Sequence, residues 1–343
     1  MVLEHLFPED WLEKKARYAF IIAIVYSTVG IIAARLLFGA NSGIVSVIFT
    51  SLLILPYLQK MFSKEEREEE GERYSLKKLD SIKRFFMNNQ AIRVYFSIFI
   101  GIYLTYMVYS FVLPHIGINT FDVFKEQLFV DPALRGRAFD TGTFISILAN
   151  NWWVLLACFL ISIISGDGAI FFITWNASSW GALFGYRAFA AASFSGESAI
   201  LYLLAILAIT LPHFILEGGA YILAAVSGNI ISNVIIKEKD DIRRFIIYLV
   251  FGAALLYLLS KMFNMFFLSR SVFSIVSILL ITPAILVVGR LFQQKRLKKV
   301  FANNYALFIV AILIFVLGAL VETWVLSSST TLNQIYAFSM MLG

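Results

Sequence analysis

The chain has 343 residues, 60% of them hydrophobic, with a mean hydropathy of +0.82 and a formal charge of +6. Repeated apolar runs of about twenty residues at this composition exclude a soluble globular domain and point to an all-α, polytopic helical membrane protein; an outer-membrane barrel would instead show alternating segments of about ten residues. The basic residues do not point to nucleic acid, because they sit between the apolar runs, where orientation in a bilayer requires them.

Taken in chain order, residues 1–17 read as an interfacial helix and a retained anchor, with Leu3, Leu6, Phe7, Trp11 and Leu12 set against Glu13, Lys14, Lys15 and Arg17. A first span over Tyr18–Phe38 and a second ending near Leu58 make a hairpin about the Gly39–Gly43 turn. The charged stretch Lys64–Arg84 reads as a solvated cytoplasmic segment that sets topology. A third span covers Ile92–Leu113. In the polar stretch Pro114–Ala149 that follows, Phe121, Phe124 and Leu128 are spaced for a helix lying on the membrane surface. The fourth span starts at Trp152 and ends near Ile164. Gly166, Asp167 and Gly168 form a turn in which Asp167 is solvated near the inner surface, and a fifth span runs over Ala169–Ala192. The sixth segment is Ser198–Ile236. A hairpin of Phe245–Phe267 and Val272–Gly289, a basic loop Arg290–Lys299 and a last span Tyr305–Leu326 complete nine crossings.

These runs divide the chain into an anchor and hairpin (1–60), a charged cytoplasmic segment (61–91), a core membrane domain with an outer loop at 114–149 (92–236), a second hairpin with basic loops (237–299), and a last span with an outer tail (300–343). With the N-terminus inside, 21 of the 28 Lys and Arg residues fall on the cytoplasmic side and the C-terminus lies outside. Arg35, Arg187 and Arg270 fall near outer span ends and are read as snorkelling to headgroups.

The chain's strongest candidate site is Leu211–Gly219. A straight helix over the surrounding 38 or so residues would be about 57 Å long, against a hydrocarbon core of about 30 Å. A break is therefore expected, as a kinked single crossing or a re-entrant half-helix followed by a full span, with Pro212, Gly218 and Gly219 as the weak points. It places His213 and Glu217 at i, i+4, where they can share a face and pair. Such a pair suits a structural contact, an ion or substrate site, or catalysis, and spacing alone leaves all three open. Asn176 reads as an interhelical hydrogen-bonding residue, and Gly181 with Gly185 as a small face for close helix packing. The pairs Asn88/Asn89, Asn150/Asn151 and Asn303/Asn304 read as helix caps at span entrances. Cys158 is a lone cysteine, and His5, His115 and His213 make no metal signature, so no metal and no cofactor are expected.

In order, Asn150 and Asn151, the Gly166-Asp167-Gly168 turn, Asn176 ahead of Gly181 and Gly185, the stretch Leu211-Pro212-His213 followed by Glu217, and Glu322 in the last span resemble the stage II sporulation protein M family. The resemblance spans about residues 92–236 and 300–327, and it departs from the family's Pro-His-Gly pattern at Phe214. It implies a five-span core to which the hairpins 18–60 and 245–290 are additions, and it brings Glu322 toward the broken segment. The function implied is a non-enzymatic integral membrane scaffold, similar to one that anchors a cell-wall-degrading complex. Its expected partners are the lipid bilayer, membrane or extracytoplasmic proteins and a second copy of the chain, with no nucleic acid, in the cell membrane. The alternative is an ion- or proton-coupled permease with His213, Glu217 and Glu322 at a midplane site. An intramembrane hydrolase would need a paired-carboxylate, Ser/Lys or HExxH arrangement, which the spacing does not supply.

Overall fold

In lipid, a backbone can satisfy its own N–H and C=O groups only in helices or closed barrels, and apolar runs of this length select helices. The computed structural model describes residues 16–39, 42–71, 90–128, 141–236 and 295–340. Among them lie α1 (Ala16–Phe38), α2 (Ser42–Gly71), α3 (Gln90–Val112), a 3-10 turn (Leu113–Ile116), α4 (Thr120–Leu128), α5 (Thr141–Ser165), a second 3-10 turn (Asp167–Ala169), α6 (Ile170–Ser195), α7 (Ala199–Ile236), α8 (Lys295–Ser328) and α9 (Thr330–Met340). The described residues contain no strand.

Six stretches are long and apolar enough to cross a membrane: Ala16–Phe38, Ser42–Lys60, Gln90–Ile116, Gly142–Ile163, Ala199–Ser232 and Asn304–Ser328. The nine crossings expected from the sequence reduce to these six among the described residues. Two of the others, Phe245–Phe267 and Val272–Gly289, lie outside the described residues. The remaining one, α6, is helical over 26 residues but carries Asn176, Ser178, Ser179 and Arg187. Its composition follows from its surroundings: α6 packs against α2, α3, α4, α7 and α9, so it faces protein where a peripheral span faces lipid.

At the centre is α7, in contact with α3, α5, α6, α8 and α9. It is one continuous helix of 38 residues with Pro212 inside it, which corrects the expected break at Pro212, Gly218 and Gly219. The reason is local. Pro212 removes one backbone donor, and both it and Ala208, the residue whose carbonyl it leaves unpaired, are on the exposed side of the helix, away from the packed core. Gly218 is a packing position, because a Cβ there would come within 2.7 Å of the Phe99 ring. Neighbouring helices on the opposite face hold the segment helical where propensity alone would let it yield.

Two further expectations change. The helix at Thr120–Leu128 does not lie alone on a membrane surface. Phe124 is completely buried, with its ring 5.4 Å from that of Tyr106, and Gln127 Nε2 donates to the Gly43 carbonyl at 2.9 Å. Ser42 Oγ donates to the Val123 carbonyl, and Arg35 Nη1 to those of Asp122 and Gly39, so Arg35 is held by protein. The Gly43 carbonyl at the start of α2 needs a donor, and α4 supplies it in Gln127. Helix α5 begins at Thr141, eleven residues before Trp152, so Asn150 and Asn151 lie inside it and cap nothing. Asn303 and Asn304 likewise lie inside α8. The pair Asn88/Asn89 falls outside the described residues.

Candidate functional site

Glu217 sits near the middle of α7, about 28 Å along the axis from either end. Its side chain is wholly buried. From α5, Asn151 Nδ2 donates to Glu217 Oε1 at 3.0 Å. From α8, Glu322 brings a second carboxyl against the first, and the two interact directly. Gly318, one turn before Glu322, makes this approach possible: a Cβ there would lie 2.9 Å from Glu217 Cγ and 3.3 Å from Leu216 Cβ. The site is thus built from three helices, with α7 in the middle.

The remaining oxygens are less well served. Oε2 of Glu217 and Oε2 of Glu322 are buried and have no hydrogen-bond partner, and neither has the hydroxyl of Tyr221. Tyr221 is 1% exposed, lies one turn beyond Glu217 and interacts electrostatically with both carboxyls. Phe315 closes this end, its ring 6.5 Å from Tyr221 and 6.3 Å from Trp152. Among the described residues, no basic side chain is among the groups acting on either carboxyl. Arg187 is engaged elsewhere, its guanidinium 3.4 Å above the Tyr336 ring, which ties α9 to α6 and departs from the expected snorkelling.

The sequence grouped His213, Glu217, Asn176 and Glu322. Glu217 and Glu322 meet, whereas His213 and Asn176 point elsewhere. The imidazole of His213 is buried and turned toward α6, 6.4 Å from the Trp180 ring, with Nδ1 unpartnered. It therefore does not pair with Glu217, whose carboxyl turns toward α5 and α8. Asn176 Nδ2 donates to the Phe172 carbonyl of its own helix at 2.8 Å, so the expected interhelical bond is replaced by an intrahelical one. Between His213 and Glu217, Phe214 fills an aromatic cluster, 4.4 Å from Tyr103, 5.0 Å from Phe99 and 5.2 Å from Trp180. Gly181 and Gly185 lie against α3, where a Cβ would collide with the carbonyl oxygens of Tyr103 and Met107 respectively.

A second buried carboxyl occupies the turn between α5 and α6. Asp167 is 6% exposed and is not the solvated turn residue expected. Asn229 Nδ2 donates to its Oδ1 at 2.6 Å, and the Tyr95 hydroxyl does so at 3.5 Å. Burial pushes its pKa up to about 7, against the opposing pull of these two hydrogen bonds. Among the described residues, no group of three or more His, Cys, Asp or Glu side chains is placed to hold a metal ion.

Two contributors to the site, Tyr221 and Gly318, escape the sequence, and a third, Asn151, is singled out there only as a cap and for the resemblance. Helical spacing from residues already singled out could have found two of them, since Tyr221 is four beyond Glu217 and Gly318 is four before Glu322. Asn151 was hidden by the misplaced start of its span.

A family model described as Stage II sporulation protein M matches residues 119–266. The match takes in 237–266, which the sequence reading set outside the family core, and leaves out 92–118 and the last span with Glu322. No curated protein and no solved structure matches the chain.

Proposed function

Taking as premise that the chain belongs, through residues 119–266, to the stage II sporulation protein M family, we propose that it is a non-enzymatic scaffold. It spans the cell membrane with its N-terminus cytoplasmic and its C-terminus outside, and holds partner proteins in or beside the bilayer. The observation that carries this reading is the use made of the polar groups in the core. Asn151, Glu217 and Glu322 knit α5, α7 and α8 together, with Gly318 pressed on the Glu217 side chain, an arrangement suited to fixing helices in place.

The ion-coupled permease reading keeps one specific observation, the unpartnered oxygens of the carboxyl pair in the membrane interior. Reconstitution decides between the two. Liposomes carrying the purified chain are expected to show no proton, sodium or potassium flux above protein-free liposomes, for the wild type and for Glu217→Gln alike. Photoreactive residues at Leu313, Leu317 and Trp324, exposed along α8, are expected to give discrete protein adducts in intact cells. Flux in the wild type that disappears in Glu217→Gln overturns the scaffold reading in favour of the permease.

A further inference from the structure

We propose that Glu217 and Glu322 together hold one monovalent cation, a proton or an alkali-metal ion, inside the membrane. The first ground is valence. An ionised carboxylate only accepts hydrogen bonds, so two of them in contact have nothing to give each other. Asn151 satisfies Oε1 of Glu217, while Oε2 of each glutamate is left buried without a partner. A single positive charge between the carboxyls would satisfy both oxygens, as a proton shared from one to the other or as an ion ligated by both.

The second ground is independent of the acid pair. Tyr221, 1% exposed, has an unpartnered hydroxyl and acts on both carboxyls from one turn along α7. A buried phenol ordinarily finds a partner. A ligand at the pair offers it one, since the hydroxyl can donate to a carboxylate drawn toward the proton or give a lone pair to an alkali ion.

The third ground is charge. A buried ion pair's cost is offset only when the opposite charge is present, and no described basic group supplies it here. The groups facing the site can be named from every side. Asn151 comes from α5, and Cys158 of the same helix acts on Tyr221. From α9, Tyr336 acts on Glu322 and is itself covered by the Arg187 guanidinium of α6. His213, one turn before Glu217, is directed at Trp180. One positive charge leaves a single negative charge shared by the two carboxyls and eased by Asn151. The oxygens are too few for calcium or magnesium, which take about six or more, and transition metals favour imidazole and thiolate. The inference is independent of the scaffold reading: an occupied site stays occupied whether or not partner proteins assemble around the chain.

Infrared spectroscopy of the full chain in lipid nanodiscs tests it, in buffers whose cation is sodium, potassium or a bulky organic ammonium. If the occupant is a proton, the wild type shows one protonated carboxyl per chain in all three buffers beyond that of Asp167, whose band Asp167→Asn identifies. The C=O band of the pair shifts in deuterium oxide and is abolished when Glu217→Gln and Glu322→Gln are combined. If the occupant is an alkali ion, the band is present only with the organic ammonium. Sodium or potassium removes it and raises the thermal stability of the wild type but of neither variant. Two ionised carboxylates at the pair that respond to no buffer, or a band other than that of Asp167 that survives both substitutions together, overturn the proposal. The buffer series on the wild type decides the matter even if one variant fails to fold.

Discussion

Gly218 and Gly219 are adjacent in α7, and alanine at each should have opposite effects. A Cβ at Gly218 would lie 2.7 and 2.8 Å from Cε1 and Cζ of Phe99, whereas a Cβ at Gly219 has nothing within 4 Å. Carbon atoms in ordinary contact are about 3.5–4.0 Å apart, so the Phe99 ring would have to move by about 1 Å. It has little room: Phe99 is 1% exposed and is packed against Phe214 and Trp180 at ring separations of 5.0 and 6.0 Å. Overpacking of this kind costs about 1–3 kcal/mol, and replacing a mid-helix glycine returns about 0.5–1 kcal/mol. Gly218→Ala should therefore be destabilising by up to about 2.5 kcal/mol, and Gly219→Ala stabilising by about 0.5–1 kcal/mol. Equilibrium unfolding in mixed micelles, with the two variants measured beside the wild type, resolves a difference of that size. Equal losses from both would refute the reasoning, because two glycines acting as a flexible break are lost in the same way.

Two other outcomes follow from the packing and the second carboxyl. Gly181→Ala and Gly185→Ala each drive a methyl group onto a backbone carbonyl of α3, which yields less readily than a side chain. Each should cost about 1–3 kcal/mol in the same unfolding assay, and the double variant less than the sum, because α3 retreats once for both. For Asp167, the folded-state value of about 7 lies above the ordinary 3.8, so the folded chain keeps a proton that the unfolded chain has released. Its contribution is then most favourable below about pH 4 and is lost as pH rises to about 7, by up to about 4 kcal/mol. Thermal melts across that range should show this slope in the wild type and a flatter one in Asp167→Asn; parallel curves would refute it.

Among the described residues, hydropathy was enough to find the helices, though not all of their ends, because span length and apolar content are properties of the chain itself. What it could not supply was the identity of each helix's neighbours. Asn150 and Asn151 look like caps in front of Trp152, and only the continuation of α5 back to Thr141 turns Asn151 into a donor for Glu217. Pro212 and two glycines spell a break, yet α7 stays helical because the proline is on its exposed side and Gly218 accommodates Phe99. Glu217 could be singled out by its place in an apolar run, and a resemblance brought Glu322 toward it. Their contact depends on Gly318, whose importance appears only when α8 is seen lying against it. Asp167 reads as a solvated turn residue until Asn229, 62 positions away, closes over it.

The span of α7 from Ala199 to Ser232 is 34 residues, about 50 Å of apolar rod, a severe mismatch for a hydrocarbon layer of about 30 Å. Lipid, however, senses only the surface that a helix shows it. Ile200, Leu201, Leu204, Leu211 and Ile215 are exposed, whereas from Ala220 to Ser232 nearly every side chain is enclosed by other helices. The acyl chains thus meet about 30 Å of this rod, and protein meets the rest. The surplus length therefore imposes neither a steep tilt nor a thickened bilayer, and the central helix can be longer than any helix at the rim.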